Sequence, residues 1–445
     1  MTIARKIINF VCCSVFILYW IVTNYSHKSI ERVKSFFSLS TNQGLAQTGM
    51  QSKIEFANHP DVRQTITLCA VGDLIFEKKV LQCLQRRINT ADPDAEHAVQ
   101  QAYNSLFVPV RNHLKGDIVY GNLETTMGRN LSHFTRKESK EWVTIPKPIS
   151  SYCVFDQDVY GERLLPNLNN HPALAKSLKE NGFDLVSTAN NHSCDRLSNG
   201  IDETLATLDA AGIRHVGTAS LHDAKSIKRK DRIPYEIITV KGIRLAFFAY
   251  TQRQNPFFKQ CSVLDPCQQV NRFSPRFPAY HYYPEIESWI RHAREQAQAD
   301  FVVISAHWGM ENTNFITPKQ KRWGHKLCEA GADIILGHHP HALQPMQKYV
   351  TSDGRETLII YSMGNFIAGI PKMIHLVSAI FYLELVKTTQ GAYIKSIRYV
   401  PTYTRFSGEK HNLEIEVIPL SPMPDNEHEM DYVQSILSSR NMYGV

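Results

Sequence analysis

The sequence predicts an α/β protein built from mixed sheets with helices packed outside them. Four short apolar runs, Asp117–Glu124, Asp184–His192, Asp300–His307 and Asp333–His341, each start at or just after an aspartate and end in metal-competent or amide side chains. A fifth, Thr65–Val71, opens directly into Gly72 and Asp73. Segments with helical spacing and a terminal glycine alternate with the runs. Near-continuous apolar strands that follow helices belong to largely parallel or mixed sheets covered on both faces. Side chains at the carboxyl ends of neighbouring strands converge in such sheets, so five strand ends bearing Asp, Glu, Asn and His predict one polar, metal-binding site.

The elements follow in chain order. Arg5 and Lys6 precede an apolar run from Ile7 to Thr23 interrupted by Asn9 and Ser14. At about 1.5 Å per residue it just spans a hydrocarbon core of roughly 30 Å, and Tyr19, Trp20 and Tyr25 suit one interface. Residues 1–25 therefore read as a cytoplasmic tail and single-pass anchor, with the main domain outside the cytoplasm. A cleaved signal peptide and a buried helix are the rival readings. The first is disfavoured because no small-residue cleavage site directly follows the run. Lys28, Arg32 and Lys34 place positive charge on the far side as well. Residues 26–60 read as a polar stalk, 61–405 as the main domain and 406–445 as a C-terminal extension.

Within the main domain, a helix from Pro172 to Asn181 is signalled by Pro in the first turn, Leu174 and Leu178 on one face, and Gly182 as terminator. Phe183–Thr188 is the strand it feeds. Ile201, Leu205 and Leu208 recur at helical spacing before Gly212. Thr317, Pro318 and Gln320 form a capping-box start, Trp323 and Leu327 face inward, and Gly331 stops the helix before the strand Asp333–Leu336. The stretch 252–283, rich in Phe, Pro, Gln and Tyr without a period, reads as a functional loop or rim. Thr357–Ser362 is a strand leading to Gly364, Asn365 and Phe366. Residues 376–402 alternate as antiparallel strands, and 425–439 form a polar-faced helix.

Composition excludes more than it identifies. With 43% hydrophobic and 20% charged residues the chain is an ordinary folded globular protein. The net charge of +7 is compatible with a polyanionic partner. No Lys/Arg block or nucleic-acid motif is present, so nucleic acid is not expected. Walker loops, dinucleotide fingerprints and Gly-x-Ser-x-Gly elbows are absent from the sequence too. The nine cysteines show no zinc-ribbon spacing. Cys69 and Cys328 fall in predicted core elements, where a thiol acts as a small hydrophobe. Cys261 and Cys267 are placed for a local disulfide if the domain is exported.

The candidate chemistry lies at the strand ends. Asp73 can bind a cation directly or serve as a turn residue. Asn122 and Glu124 follow the second strand, and Asn190, Asn191 and His192 the third. Amide oxygens ligate metals, and His ligates or transfers a proton. His307 precedes Trp308, Gly309 and Glu311. His338, His339 and His341 are the densest cluster, and packing alone does not explain it, because each buried imidazole needs a polar partner. Together these residues suit a mononuclear or dinuclear zinc, manganese or iron site. Metal-assisted hydrolysis or transfer at a phosphoester or acyl centre is the expected reaction.

At these residues the sequence resembles the bacterial capsule synthesis proteins, the CapA-type proteins of poly-γ-glutamate capsule formation. The resemblance rests on Ala70-Val-Gly-Asp-Leu74, Gly121-Asn-Leu-Glu124, Ala189-Asn-Asn-His-Ser193, Leu208–Ile213 with His215-Val-Gly217, Ala306–Glu311, Gly337–Pro345 and Tyr361–Phe366. It runs over about residues 65–370. That family is similar to the calcineurin-like metallophosphoesterases, which implies a four-layer αββα sandwich. It further implies that Asp73, Glu124, Asn191, His307, His339 and His341 hold a divalent metal and that His192 protonates a leaving group. Asn122, Asn190, Glu311, His338 and Asn365 are then substrate-binding or supporting residues. Two positions depart from the phosphoesterase pattern: Ile75 stands where those enzymes carry His, and Asn122 where they carry Asp. The implied partners are an anionic polymer such as poly-γ-glutamate, the membrane and other capsule synthase subunits. A non-catalytic polymer-binding subunit for assembly or export is the alternative to an enzyme.

Overall fold

The computed structural model describes residues 50–51, 54–89, 91–128, 168–255, 268–273, 284–408, 412–420 and 426–437. The expected anchor at 1–25, most of the stalk, and Cys261 with Cys267 lie outside the described residues. Among the described residues no helix is long and apolar enough to cross a membrane.

The five apolar runs become strands that end at their polar clusters: Gln64–Leu74, Ile118–Leu123, Leu185–Ser187, Phe301–His307 and Ile334–His338. The first three lie side by side and parallel, followed by Arg214–Val216. On the other side of Gln64–Leu74 come Val377–Lys387 and then Ala392–Ser407, both antiparallel. Glu414–Pro419 adds to that edge. In the second sheet Ile243–Thr251, Phe301–His307, Ile334–His338 and Glu356–Met363 are parallel. Antiparallel Tyr235–Val240 and Leu343–Val350 flank them.

Side-chain alternation along the strands sorts the layers. Leu68, Ala70 and Tyr120 of the first sheet pack with Phe247, Val303, Leu336 and Ile360 of the second in one buried cluster. The intervening residues Cys69, Val71 and Val119 face outward onto helices Lys78–Arg87, Ala95–Ser105 and Ala173–Glu180 through Leu81, Leu84, Tyr103, Leu174 and Leu178. On the far side Phe248, Val302 and Ile335 meet Ile286 and Ile290 of Pro284–Glu295 and Trp323 and Leu327 of Pro318–Glu329. The order is thus helix, sheet, sheet, helix. The capping box at Thr317 and Gln320 forms as the sequence predicts. Helix Glu427–Leu437 presents a polar face through exposed Glu427, His428 and Asp431, while Val433, Ile436 and Leu437 join the cluster between the sheets.

The aspartates that open the runs share a local role. Asp117 donates its N–H to Thr67 O at 2.8 Å and accepts from Thr67 N at 2.9 Å through its carboxylate. Asp184 holds both backbone groups of Val119 in the same way, Asp300 those of Arg244, and Asp333 those of Val302. Each carboxylate pins the neighbouring parallel strand at its amino end, fixing register and leaving the carboxyl ends for the site.

Candidate metal centre

Two close backbone approaches bring the strand ends together. A Cβ on Gly72 would meet Gly364 O at 2.0 Å, and one on Gly337 would meet Tyr361 O at 2.0 Å. Only glycine fits such contacts. The first places Asp73 beside Asn365, its register partner. The second sets the chain into the His338-His-Pro-His341 turn, where His339 and His341 take left-handed backbone angles of φ +92° and +55°.

Asp73 is fully buried and heavily hydrogen-bonded. His338 Nδ1 lies 2.7 Å from Oδ1, Asn122 Nδ2 donates to Oδ1 at 2.9 Å, and His339 N donates to Oδ2 at 3.3 Å. Burial would raise its carboxyl, but His338 and His341 hold it well below the usual carboxylate range. His338 Nε2 is 3.0 Å from Tyr120 Oη, which also donates to Ser305 Oγ at 2.6 Å. With both ring nitrogens engaged, His338 orients Asp73 and ties the two sheets together.

The remaining predicted residues surround this carboxylate. His341 Nδ1 lies 3.1 Å from Asn365 Oδ1 and 3.4 Å from Asp73 Oδ2, while its Nε2 is 3.7 Å from Glu124 Oε1. His307 Nε2 is 2.8 Å from Asn191 Oδ1 and 3.8 Å from Glu124 Oε1, and its ring centroid is 4.7 Å from that of His339. Glu311, half-exposed, reaches 4.0 Å from His339 Nε2. Asn190 donates to Leu123 O at 2.8 Å and to Asn122 Oδ1 at 3.4 Å, and accepts from His192 N at 3.1 Å. All twelve residues singled out in the sequence thus belong to one connected neighbourhood.

His192 sits at its edge. Its Nδ1 is 2.6 Å from Asp195 Oδ2, leaving Nε2 for proton transfer. Burial works to lower this imidazole, but Asp195 outweighs it and, with Glu124, raises its pKa. Asn255 Nδ2 approaches the same Nδ1 at 3.4 Å, while Asn255 Oδ1 accepts from Asn191 at 3.1 Å, linking His192 to the cluster.

The donor set fits a divalent cation. Among the described residues, Asp73, Glu124 and His341 offer ligand atoms within 4.8 Å of one another, and so do Glu311, His339 and His341. Glu124 Oε1 and His339 Nδ1 are buried without a hydrogen-bond partner. Such orphaned groups cost about 1–3 kcal/mol each, which a bound cation relieves. Burial pushes Glu124 up to about 8, against the pull of His341. Burial also lowers His339, to about 3, helped by the charge on His341. Ile75, the first departure from the phosphoesterase pattern, is packed in the helix-side core, and Asn122, the second, directs its amide N–H at Asp73.

Four contributors escaped the sequence reading. Asp195 was signalled only by a carboxylate three residues after His192. Asn255 lies in the stretch already read as a rim. Tyr120 looked like core, and it is fully buried. Glu77 has a buried oxygen without a hydrogen-bond partner; burial raises its carboxyl, while backbone at Gly369 and the charges of His341 and His192 pull it down.

The family model described as bacterial capsule synthesis protein PGA_cap matches residues 67–370. The chain is 31% identical over 308 residues to the capsule biosynthesis protein CapA of Bacillus anthracis, covering 68% of this chain and 60% of that protein. It is 31% identical over 202 residues to the PGA biosynthesis protein CapA of Bacillus subtilis strain 168, covering 45% and 47% respectively. The chain therefore spans less than two thirds of the length of either relative. Among solved structures it is similar to the calcineurin-like phosphoesterase YfkN from Bacillus subtilis, at 15% identity and a TM-score of 0.37, covering 77% of this chain and 91% of that one.

Proposed function

The chain belongs to the bacterial capsule synthesis protein PGA_cap family, and on that premise we propose that it is a membrane-anchored protein of capsule biosynthesis with its main domain outside the cytoplasm. Its buried centre catalyses metal-dependent hydrolysis or transfer at a phosphoester or acyl centre, acting on an anionic polymer of the poly-γ-glutamate type alongside other synthase subunits. The observation that carries the chemistry is the pair of orphaned buried atoms, Glu124 Oε1 and His339 Nδ1, inside a ring of Asp, Asn and His. The polymer reading is supported by the names of the two Bacillus relatives.

Asp73, Glu124, Asn191, His307, His339 and His341 would hold the cation, whose identity falls among zinc, manganese and iron. When bound, such a cation supplies Lewis acidity toward an anionic oxygen and acidifies water. His192 delivers a proton to the leaving group from Nε2, and Asp195 holds its ring in place and favours the charged form. Asn190 fixes the turn that carries His192 by accepting its backbone N–H.

The test compares bound metal and polymer output in cells carrying the wild type, His339→Ala or His192→Ala at matched protein levels. His339→Ala loses metal and output; His192→Ala keeps metal and loses output. Undiminished output from both variants would reject catalysis and leave the polymer-binding role. A reporter fused after Val445 should read the exported side, and a cytoplasmic signal would overturn the topology.

A further inference from the structure

Strand Ile243–Thr251 runs out at the metal centre into a strap, Gln252–Asn255, that is stitched to both sides of it. At one end Gln252 N donates to His307 O at 2.8 Å, and Gln252 Oε1 accepts from Gly309 N at 3.2 Å. At the other, Asn255 N donates to Asn191 O at 3.2 Å, and Gln254 Nε2 donates to Cys194 Sγ at 3.2 Å. The strap thus joins His307, which ends a strand of the second sheet, to Asn191, which follows a strand of the first. Arg253 lies within it, and its main chain is clamped: Thr251 Oγ1 donates to Arg253 O at 2.6 Å and accepts from Arg253 N at 3.3 Å.

The side chain on this fixed backbone has no structural use. Arg253 is exposed, and among the described residues its guanidinium forms no ion pair or hydrogen bond. Its charge nevertheless acts at the centre: after burial and the charge on His341, it helps to disfavour the protonated form of His339. After burial, Arg253 and Arg322 likewise lower the Lys319 ammonium, which sits in the first turn of helix Pro318–Glu329, a turn without an acidic residue. Glu311, the half-exposed carboxylate near His339, reaches that imidazole at 4.0 Å. An unpaired guanidinium beside groups suited to a divalent cation is repelled by that cation. An oxyanion arriving from outside offsets the repulsion and gains a two-pronged pair.

Resting on the functional reading above for the reaction itself, we propose that Arg253 is a positioning residue that grips an oxyanion of the substrate other than the one at the metal. Carboxylate and phosphate both present the two-oxygen edge that the guanidinium fork matches. Because the strap fixes the Arg253 backbone against His307 and Asn191, a group held there is set at a constant place relative to the centre.

Calorimetry on the full chain in the presence of zinc would use two probes, a γ-linked glutamate oligomer for carboxylate and a glycerol-phosphate oligomer for phosphate. Arg253→Gln should weaken at least one probe by about fivefold or more, and Arg253→Lys should recover only part of the loss, because the charge returns without the fork. Arg322→Gln removes another exposed cation and should change neither probe by more than about twofold. Bound zinc should be undiminished in Arg253→Gln, since removing a nearby positive charge favours a cation, whereas a purely structural role would lower zinc and probe together. Loss confined to one probe assigns the oxyanion to that class, and loss of both assigns the shared chemistry. Unchanged binding of both probes, no binding of either by the wild type, an equal loss in Arg322→Gln, or zinc lost from Arg253→Gln would each overturn the positioning role. If polymer output survives both His192→Ala and His339→Ala while Arg253→Gln still loses its probe, the catalytic reading fails and the role of Arg253 in binding stands.

Discussion

Cys69 and Cys328 are fully buried, and burial pushes both thiols up to about 12. Unfolding returns them to an ordinary thiol value near 8.5, so above that pH the unfolded chain binds fewer protons than the folded one and stability falls as pH rises toward 12. Both cysteines should resist iodoacetamide at pH 8 in the folded protein and react once urea unfolds it; rapid native-state labelling would contradict their burial. Gly72 offers a sharper test. Gly72→Ala drives a methyl into Gly364 O, and the expected loss is about 3 kcal/mol or more in urea denaturation. Residue identity was the most legible level of the sequence, because Asp, Asn and His clustered after apolar runs have few purely structural explanations. Asp195 and Tyr120 stayed hidden because their roles depend on neighbours that only the fold supplies: His192 across one turn, and His338 across the sheet interface.

Among the elements, the strands at Asp117, Asp184, Asp300 and Asp333 were legible as apolar runs, but the reason for the leading aspartate was not. A carboxylate that accepts the backbone N–H of the next strand over is a tertiary contact with no local periodicity. Asp333 shows what it contributes: besides Val302 N at 2.7 Å it pairs with Arg294 and Arg355. Asp333→Ala strands the Val302 N–H and takes one carboxylate from two partly buried guanidinium groups that keep their other partners, and should cost about 3 kcal/mol. Thr317→Ala removes only the capping box of Pro318–Glu329 and should cost about 1 kcal/mol. Equal losses in guanidinium titrations would show that the aspartate clamp is a surface decoration. Helix Glu427–Leu437 keeps the polar face that its sequence shows, but Val433, Ile436 and Leu437 on its other side find their partners in the space between the sheets, which no window of local sequence displays.

For the whole molecule, the layer order followed from strand–helix alternation and the family resemblance, whereas the pairing of Val377–Lys387 beside Gln64–Leu74 did not, since those strands lie far apart in sequence. A cation that binds only the folded chain raises its stability by mass action. Extensive dialysis against chelator should therefore lower the melting temperature, and adding back zinc or manganese should restore it; indifference to both would argue against a resident metal. The hydrogen bonds between His338 of the second sheet and Asp73 of the first, and between Tyr120 of the first and His338 and Ser305 of the second, have a mechanical corollary. Slippage of one β layer over the other cannot occur without dislodging the carboxylate that the imidazoles surround. Disruption of the Asp73 cluster and delamination of the sandwich should thus be a single cooperative event, and a form with an intact cluster and unzipped sheets should not accumulate.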